Sequence, residues 1–201
     1  MREADRDTLI QRTAEALVHT RRRVALTGAG VSIESGIPPF RGPGGLWEKM
    51  DPMEVAHIDA FRRDPEKVWK LLIEGMQAVL SVARPNAGHV GLARLEQLGY
   101  LQSVITQNVD GVHQAAGSRV VIEIHGTFAW QRCQNCGSRC KTGQVDLSRI
   151  PPRCSCGGIY RPDCVFFGEM IPPQHLARAH QLVARGDVLL VVGTSATVQP
   201  A

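Results

Sequence analysis

The sequence predicts an α/β protein, and three observations carry the prediction. Two apolar runs break directly into small-residue turns, V-A-L-T-G-A-G at 24–30 and V-L-L-V-V-G-T-S at 188–195. Between them, helical periodicity alternates with short buried runs at 100–106 and 120–124. Late in the chain, Cys133-x-x-Cys136 and Cys154-x-Cys156 stand 17 residues apart, which predicts a small metal-stapled ribbon. At 201 residues and 43% hydrophobic content the chain can bury a substantial core, as one domain or one domain with a subdomain.

Taken in order, residues 7–20 place Leu9, Ile10, Thr13, Ala14, Leu17 and Val18 at helical spacing, which predicts an amphipathic helix packed on the sheet that begins at Val24. Gly28-Ala29-Gly30, with Ser32, Ser35 and Gly36 following, lets backbone N–H groups approach a phosphate where no Cβ intervenes. The turn lacks the third glycine of the dinucleotide fingerprint and the lysine of a P-loop, so alone it reads equally as an ordinary tight turn. The stretch from Ile37 to Gly45 is too rich in proline and glycine for regular structure and is expected to be a surface loop. There Phe40 is a candidate lid and Arg41 a candidate phosphate or ribose contact, against an anchored loop with a solvated arginine. Residues 52–82 read as a helical module in which Asp64-Pro65 starts a helix and Trp69 and Met76 are core. Pro85-Asn86 opens a further helix that Gly99 ends.

The run 100–106 delivers Gln107, Asn108 and Asp110, polar side chains crowding the carboxyl end of a buried strand, where open α/β sheets bind their ligands. The next strand delivers His125, which reads equally as a satisfied structural group or as a general base. Thiolates from Cys133, Cys136, Cys154 and Cys156 suit tetrahedral zinc with no open position, hence a structural metal, and Cys140 and Cys164 are expected to be ordinary thiols. Arg161 to Glu169 is an extended apolar segment, either an edge for a peptide or a buried crossover strand. A helix at 174–185 precedes the last strand.

The formal charge is +4, from 23 basic and 19 acidic residues, and only Arg21-Arg22-Arg23 is a cluster, expected to be a solvated helix end and not a nucleic-acid patch. No apolar run is long enough to span a bilayer and the N-terminus is charged, so the expectation is a cytoplasmic protein with its paired cysteines on metal and not in disulfides.

Four segments together resemble one family, the sirtuins of bacterial type, which are NAD-dependent protein deacylases. They are G-A-G-V-S-I-E-S-G-I-P-P-F-R (28–41), T-Q-N-V-D-G-V-H-Q-A-A-G with H-G (106–117, 125–126), R-P-D-C-V-F-F-G-E (161–169) and G-T-S-A-T-V-Q-P-A (193–201). The resemblance covers nearly the whole chain in the family's order. It implies a Rossmann-like, parallel-sheet NAD domain (1–45, 85–127 and 165–201) and a small domain made of a helical module (46–84) and a zinc ribbon (128–164), with the active cleft between them. Gly28, Ala29, Gly30, Ser32, Ile37, Phe40 and Arg41 would belong to the cofactor loop, Gln107, Asn108 and Asp110 to the nicotinamide ribose, and Gly193, Thr194 and Ser195 to the phosphate and adenosine side. Val165, Phe167, Gly168 and Glu169 would form the floor and edge for an acyl-lysine peptide, and His125 would be the catalytic base. The implied reaction moves the acyl group of an acyl-lysine protein or peptide, acetyl above all, to ADP-ribose with release of nicotinamide, and involves no nucleic acid or membrane.

Three departures from the family pattern stand out. Pro39 replaces the usual aspartate; Leu72 and Gly75 stand where succinyl-removing relatives carry tyrosine and arginine; the family's further β/α units would lie beyond Ala201. Mono-ADP-ribosyl transfer from NAD to a protein and a non-catalytic NAD-sensing module are the competing readings.

Overall fold

The computed structural model describes residues 3–196, and residues 197–201 of the second turn lie outside it. Strands β1 (Arg23–Thr27), β2 (Ser103–Thr106) and β3 (Val121–Glu123) pair in parallel, and the last strand, β7 (Val188–Val192), pairs in parallel with β1, giving the order β3-β2-β1-β7. Alternate side chains of a strand serve opposite faces. Val24, Ile105, Ile122 and Ile124 accordingly pack with Ala179 of the helix at Pro173–Arg185. Ala25 and Val104 pack the other way, with Leu92 of the helix at Ala87–Gln97. Because all four strands run the same way, their carboxyl ends, and the turns that follow them, fall along one edge of the sheet.

Between β1 and β2 lie α2 (Pro52–Val55), α3 (Ile58–Arg63), α4 (Pro65–Val68), a π-helical turn (Trp69–Ile73) and α5 (Glu74–Val82). Their starts are fixed by side chains that accept free backbone N–H groups: Asp51 from Met53, His57 from Asp59, and Asp64 from Lys67, with proline at the first position of α2 and α4. The second sheet, antiparallel in the order β5-β4-β6, is made by β4 (Gly126–Cys133), β5 (Arg139–Lys141) and β6 (Tyr160–Cys164). The helices and this ribbon share one apolar cluster, in which Phe61, Trp69, Leu72 and Met76 meet Phe128, Cys164 and Phe166. The Trp69 indole N–H donates to the Tyr160 carbonyl at 2.9 Å, so the cluster is pinned as well as packed.

The helix that follows, α6 (Ala87–Gln97), is capped by Asn86, which accepts from the N–H groups of Gly88 and His89, and it ends at Gly99 as the sequence predicts. A short α7 (Val112–Ala115) follows β2, and α8 (Pro173–Arg185) leads into β7.

Two expectations are corrected. The first helix, α1 (Glu3–Val18), does not pack on the sheet along its length: among its described side chains only Leu17 is buried, and Leu9, Ile10 and Val18 are 48%, 59% and 55% exposed. Among the described residues β7 is the edge strand of this sheet, and its Leu189 and Val191 are exposed as well. Arg23 is likewise not solvated. It lies buried in β1 with its guanidinium donating to the carbonyls of Leu17 and Arg21 over the Tyr100 ring, so its charge is held by backbone dipoles. No helix among the described residues is long and apolar enough to cross a membrane.

Candidate active site

The turns after β1, β2, β3 and β7 meet at the carboxyl edge of the sheet, and a cavity of about 960 Å³ opens from there toward the helices and ribbon. Ala29, Gly30, Phe40, Arg41, Gln107, Asn108, His125, Gly193, Thr194 and Ser195 line it, together with Val165, Phe167, Gly168 and Glu169. Of the residues expected in the site, Gly28, Ser32, Ile37 and Asp110 are not in its lining.

The glycines of the first turn also let two turns approach closely. A Cβ on Gly28 would lie 2.6 Å from the Thr194 Cβ, and one on Gly30 would lie 2.8 Å from the Gly193 carbonyl oxygen. Gly193 has φ +63°, and a Cβ there would overlap the Val31 nitrogen. The two turns therefore interlock. The N–H groups of Gly28 and Gly30 are consumed by Val192 and Gly193 carbonyls, so they do not face a phosphate. The small residues bring the two turns side by side, and Thr194 Oγ1 then donates to Gln107 Oε1 at 3.2 Å. Gln107 Nε2, buried, has no partner among the described residues and is a donor in reserve for a ligand.

Ser32 and Asp110 form the support beneath the site. Ser32 Oγ donates to Asp110 Oδ2 at 2.8 Å, Asn108 Nδ2 donates to both at 3.0 and 3.1 Å, and Asp110 Oδ1 accepts from the Val112 N–H. Since the Ser32 proton goes to Asp110, His89 Nε2, 3.3 Å away, must be the donor to Ser32. By the same reasoning Thr27 donates to Thr106, so His113 Nε2 is the donor to Thr27 at 2.9 Å. The two imidazoles meet edge to face at 4.8 Å, and both Nδ1 atoms are buried without partners. Sequence reasoning missed His89, which reads as an ordinary helix residue.

Burial, and then the neighbouring His89, push the His113 pKa down to about 4 despite Asp110 nearby. The unfolded chain binds this proton near pH 6.5 and the folded chain only near 4, so the stability present above 6.5 is lost as pH falls through that window. The expected loss from this group between pH 7.5 and 5 is about 2 kcal/mol. Urea unfolding of the parent and of His113→Gln at those two pH values checks it: the variant should show a flatter dependence, and an equal slope would count against it.

His125 follows β3 with Nδ1 2.9 Å from the Gln107 carbonyl. A carbonyl only accepts, so Nδ1 carries the proton and Nε2 keeps its lone pair. Burial lowers the His125 pKa from its ordinary value, opposed by the bond to Gln107, so the neutral imidazole is held at neutral pH.

Away from the turns the cavity wall becomes apolar: Trp47, Ala56, Leu72, Met76, Val109, Phe128, Cys164 and Phe166 line it. These were read from sequence as core or left aside, because they come from distant elements with ordinary core periodicity. The titratable or charged lining groups outside this wall are Arg41, His125 and Glu169. The Glu169 carboxylate is already committed to the buried Arg161, at 2.6 and 2.8 Å, and to the Phe166 N–H at 2.9 Å. Glu169 thus holds the 165–168 turn in shape. Gly75 is exposed and outside the lining.

The segment 165–169 is tied on both flanks. Val165 N–H donates to the His125 carbonyl, Phe167 N–H to Ala56, and the Phe167 carbonyl accepts from Ile58. Gly168, at φ +82°, passes so close to His57 that a Cβ would lie 2.6 Å from Nε2. Its own N–H and C=O have no hydrogen-bond partner among the described residues.

In the ribbon, the sulfurs of Cys133, Cys136, Cys154 and Cys156 lie within 4.8 Å of one another. Four thiolates that close repel unless a cation sits among them, and the all-sulfur donor set fits zinc with a closed coordination shell.

Residues 28–200 match the Sir2 family. The chain belongs to that family. It is 50% identical over 189 residues to "NAD-dependent protein deacylase 2" of Pyrobaculum aerophilum, covering 94% of this chain and 75% of that one. It is 47% identical over 200 residues to "NAD-dependent protein deacetylase" of Caldivirga maquilingensis, covering 95% and 75%. Among solved structures, a Sir2 homologue in complex with NAD superposes with a TM-score of 0.87 at 46% identity, over 94% of this chain and 74% of that one. A Sir2 variant with a deacetylated p53 peptide and 3'-O-acetyl ADP-ribose superposes with a TM-score of 0.88 at 39% identity, over 95% and 78%. This Sir2-family chain therefore spans about three-quarters of the length of these relatives.

Proposed function

We infer that the chain is an NAD-dependent protein lysine deacylase that acts on acyl-lysine peptides, acetyl-lysine above all, passes the acyl group to ADP-ribose and releases nicotinamide. One observation carries this reading: nucleotide-sized space at the strand ends, a histidine with a free Nε2 and an apolar channel beside an unpaired peptide edge belong to one cavity.

NAD enters as a substrate that is consumed, and its nicotinamide-ribose bond is the one broken as the acyl oxygen bonds to the ribose. The residues of this chain supply what that exchange needs. Gln107 Nε2 offers a donor to the ribose hydroxyls, and Asn108, whose amide N–H groups are spent on Ser32 and Asp110, offers its Oδ1 as an acceptor. Gly168 offers one N–H and one C=O to an extended peptide, which lays the modified lysine along the apolar wall. That wall excludes water and holds the acyl group against the ribose, where proximity and desolvation lower the barrier. His125 Nε2 accepts the proton of a ribose hydroxyl as that oxygen bonds to the acyl carbon; the carbon–nitrogen bond then breaks, lysine leaves as the free amine, and one water completes the reaction to leave the acyl ester on ADP-ribose. Zinc on the four cysteines stiffens the ribbon and takes no part in the exchange.

Peptide-dependent nicotinamide release tests the reading: NAD with an acetyl-lysine peptide should release nicotinamide, NAD alone should release far less, and equal release in both would contradict it. The channel favours deacylation over ADP-ribosyl transfer, because transfer needs a free nucleophile where this wall accommodates a neutral acyl group.

The channel also sets acyl preference. A succinyl carboxylate would be buried there without a cation, since Leu72 presents only methyl groups and Arg161 is occupied by Glu169. An unpaired buried charge costs several kcal/mol. The kcat/KM for a succinyl peptide is therefore expected about 100-fold or more below that for the acetyl peptide, and parity between them would show that a cation reaches the channel.

A further inference from the structure

We propose that His57 is a specificity-determining residue: its imidazole donates a hydrogen bond to an acidic side chain that flanks the acyl-lysine in the bound peptide. The proposal rests on the deacylase reading. His57 stands at the start of α3, where its Nδ1 accepts from the Asp59 N–H at 3.2 Å. A ring nitrogen that accepts carries no proton, so in the neutral imidazole the proton sits on Nε2. That Nε2–H has no hydrogen-bond partner among the described residues, and the side chain is 20% exposed. It is a donor without an acceptor.

The fold places this donor at the peptide edge. The backbone of His57 bridges to Phe167 in parallel, between the bonds that tie Phe167 to Ala56 and Ile58, so the residue is fixed on the flank of the 165–169 segment. From there the ring reaches over Gly168, where an added Cβ would lie 2.6 Å from Nε2 and 2.7 Å from Cε1. Gly168 is also the residue whose N–H and C=O are left for a peptide. A Cβ direction leaves the plane in which strands exchange main-chain bonds, so Nε2 stands out of line with the backbone of an added strand and meets its side chains, which lie within about 5.5 Å across a pair. A carboxylate is the strongest acceptor a peptide side chain offers there, since an ionised acceptor makes a hydrogen bond roughly twice as strong as a neutral one. The two carboxylates of the protein beside this point are both compensated. Asp59 lies at the other ring nitrogen, with Oδ2 3.7 Å from Nδ1, and is paired with Arg62 at 3.2 Å. Glu169 is paired with Arg161 at 2.6 Å.

The experiment measures kcat/KM of the full chain for acetyl-lysine peptides that carry Glu, Leu or Lys next to the modified lysine, on each side in turn, and repeats it for His57→Asn and His57→Gln. Asparagine keeps an acceptor at the position of Nδ1, and with it the start of α3, but ends short of Nε2. Glutamine carries an amide N–H out to the position of Nε2 and gives up the acceptor at Nδ1. In the parent, Glu on one of the two sides should exceed Leu about tenfold, with Lys no better than Leu, as a bond to a charged group gives. His57→Asn should bring the Glu-to-Leu ratio below about twofold while the Leu peptide stays within about twofold of the parent. His57→Gln should keep a ratio of about fivefold or more and unfold at a lower temperature for want of the cap. A parent with no Glu preference, a preference kept in His57→Asn or lost in both variants, or an equal loss for the Glu and Leu peptides in His57→Asn would overturn the proposal. In each of those cases the peptides are still deacylated and the deacylase reading stands. A parent that turns over none of the peptides removes that reading, and this proposal with it.

Discussion

His125→Ala is expected to lower turnover by about 10²- to 10⁴-fold, the usual contribution of a positioned general base, while leaving the fold in place. The loss follows from one atom. Nε2 is the lone-pair nitrogen because Nδ1 is spent on the Gln107 carbonyl, and no other neutral base lines the cavity among the described residues. Structurally the substitution removes one hydrogen bond at the rim of the site, worth about 1 kcal/mol. Acetyl-peptide affinity should therefore stay within a few-fold and thermal unfolding should shift by only a few degrees. The parent should also show an acidic limb in kcat/KM below pH 6.5, because burial lowers the pKa of His125 and activity is lost as the base protonates. Steady-state deacylation with a binding titration checks all of this. Retained turnover, or lost peptide binding with an intact fold, would move the chemistry to another group.

Removing zinc is expected to abolish activity through structure. The strands that carry Cys133 also carry Phe128, and β6 runs from the ribbon into Cys164, both of which form the channel wall. The ribbon sheet has only three strands, and its apolar contacts are made with the helices outside it. Little else holds the Cys133–Cys156 region, and structural zinc in small domains supplies about 10–16 kcal/mol of apparent binding energy at neutral pH. One zinc per chain, loss of deacylation on chelation and recovery on adding zinc back are the expected results. Cys136→Ser should weaken metal retention and lower the unfolding temperature. A metal-free chain of unchanged stability and activity would refute the structural assignment. Asp163, which bridges Arg132 and Arg139 across the same sheet, would not replace the metal, since exposed ion pairs contribute little.

Much of this molecule is legible in its sequence for a physical reason. Parallel strands ending in polar or small residues put their chemistry at one edge, so Gln107, Asn108 and Gly193 stand out as site candidates before any coordinates, and the family resemblance adds His125 to them. The paired cysteines were equally plain, since their spacing has little other use. What sequence obscured is contact between distant elements. The channel wall of Leu72, Met76, Phe128 and Phe166 reads as core because it is core on one side and cavity on the other. His89 and Arg161 carry no local pattern, and their value lies in partners far along the chain, Ser32 and Glu169. The glycines at 28 and 30 mark the turn, and what their sequence does not tell is that small size there also serves the meeting of two turns. The exposed face of α1 could not be foreseen, because helical periodicity reports which face is apolar and not whether anything covers it.

The central claim is that one cavity holds a dinucleotide and an acyl-lysine together so that the acyl group passes between them. Mass spectrometry of both products after incubation with NAD and an acetyl-lysine peptide tests it most directly. The account predicts a peptide lighter by its acetyl group and one equivalent of acetylated ADP-ribose for each nicotinamide released. A peptide that instead gains ADP-ribose, or loses acetyl as free acetate without consuming NAD, would contradict it.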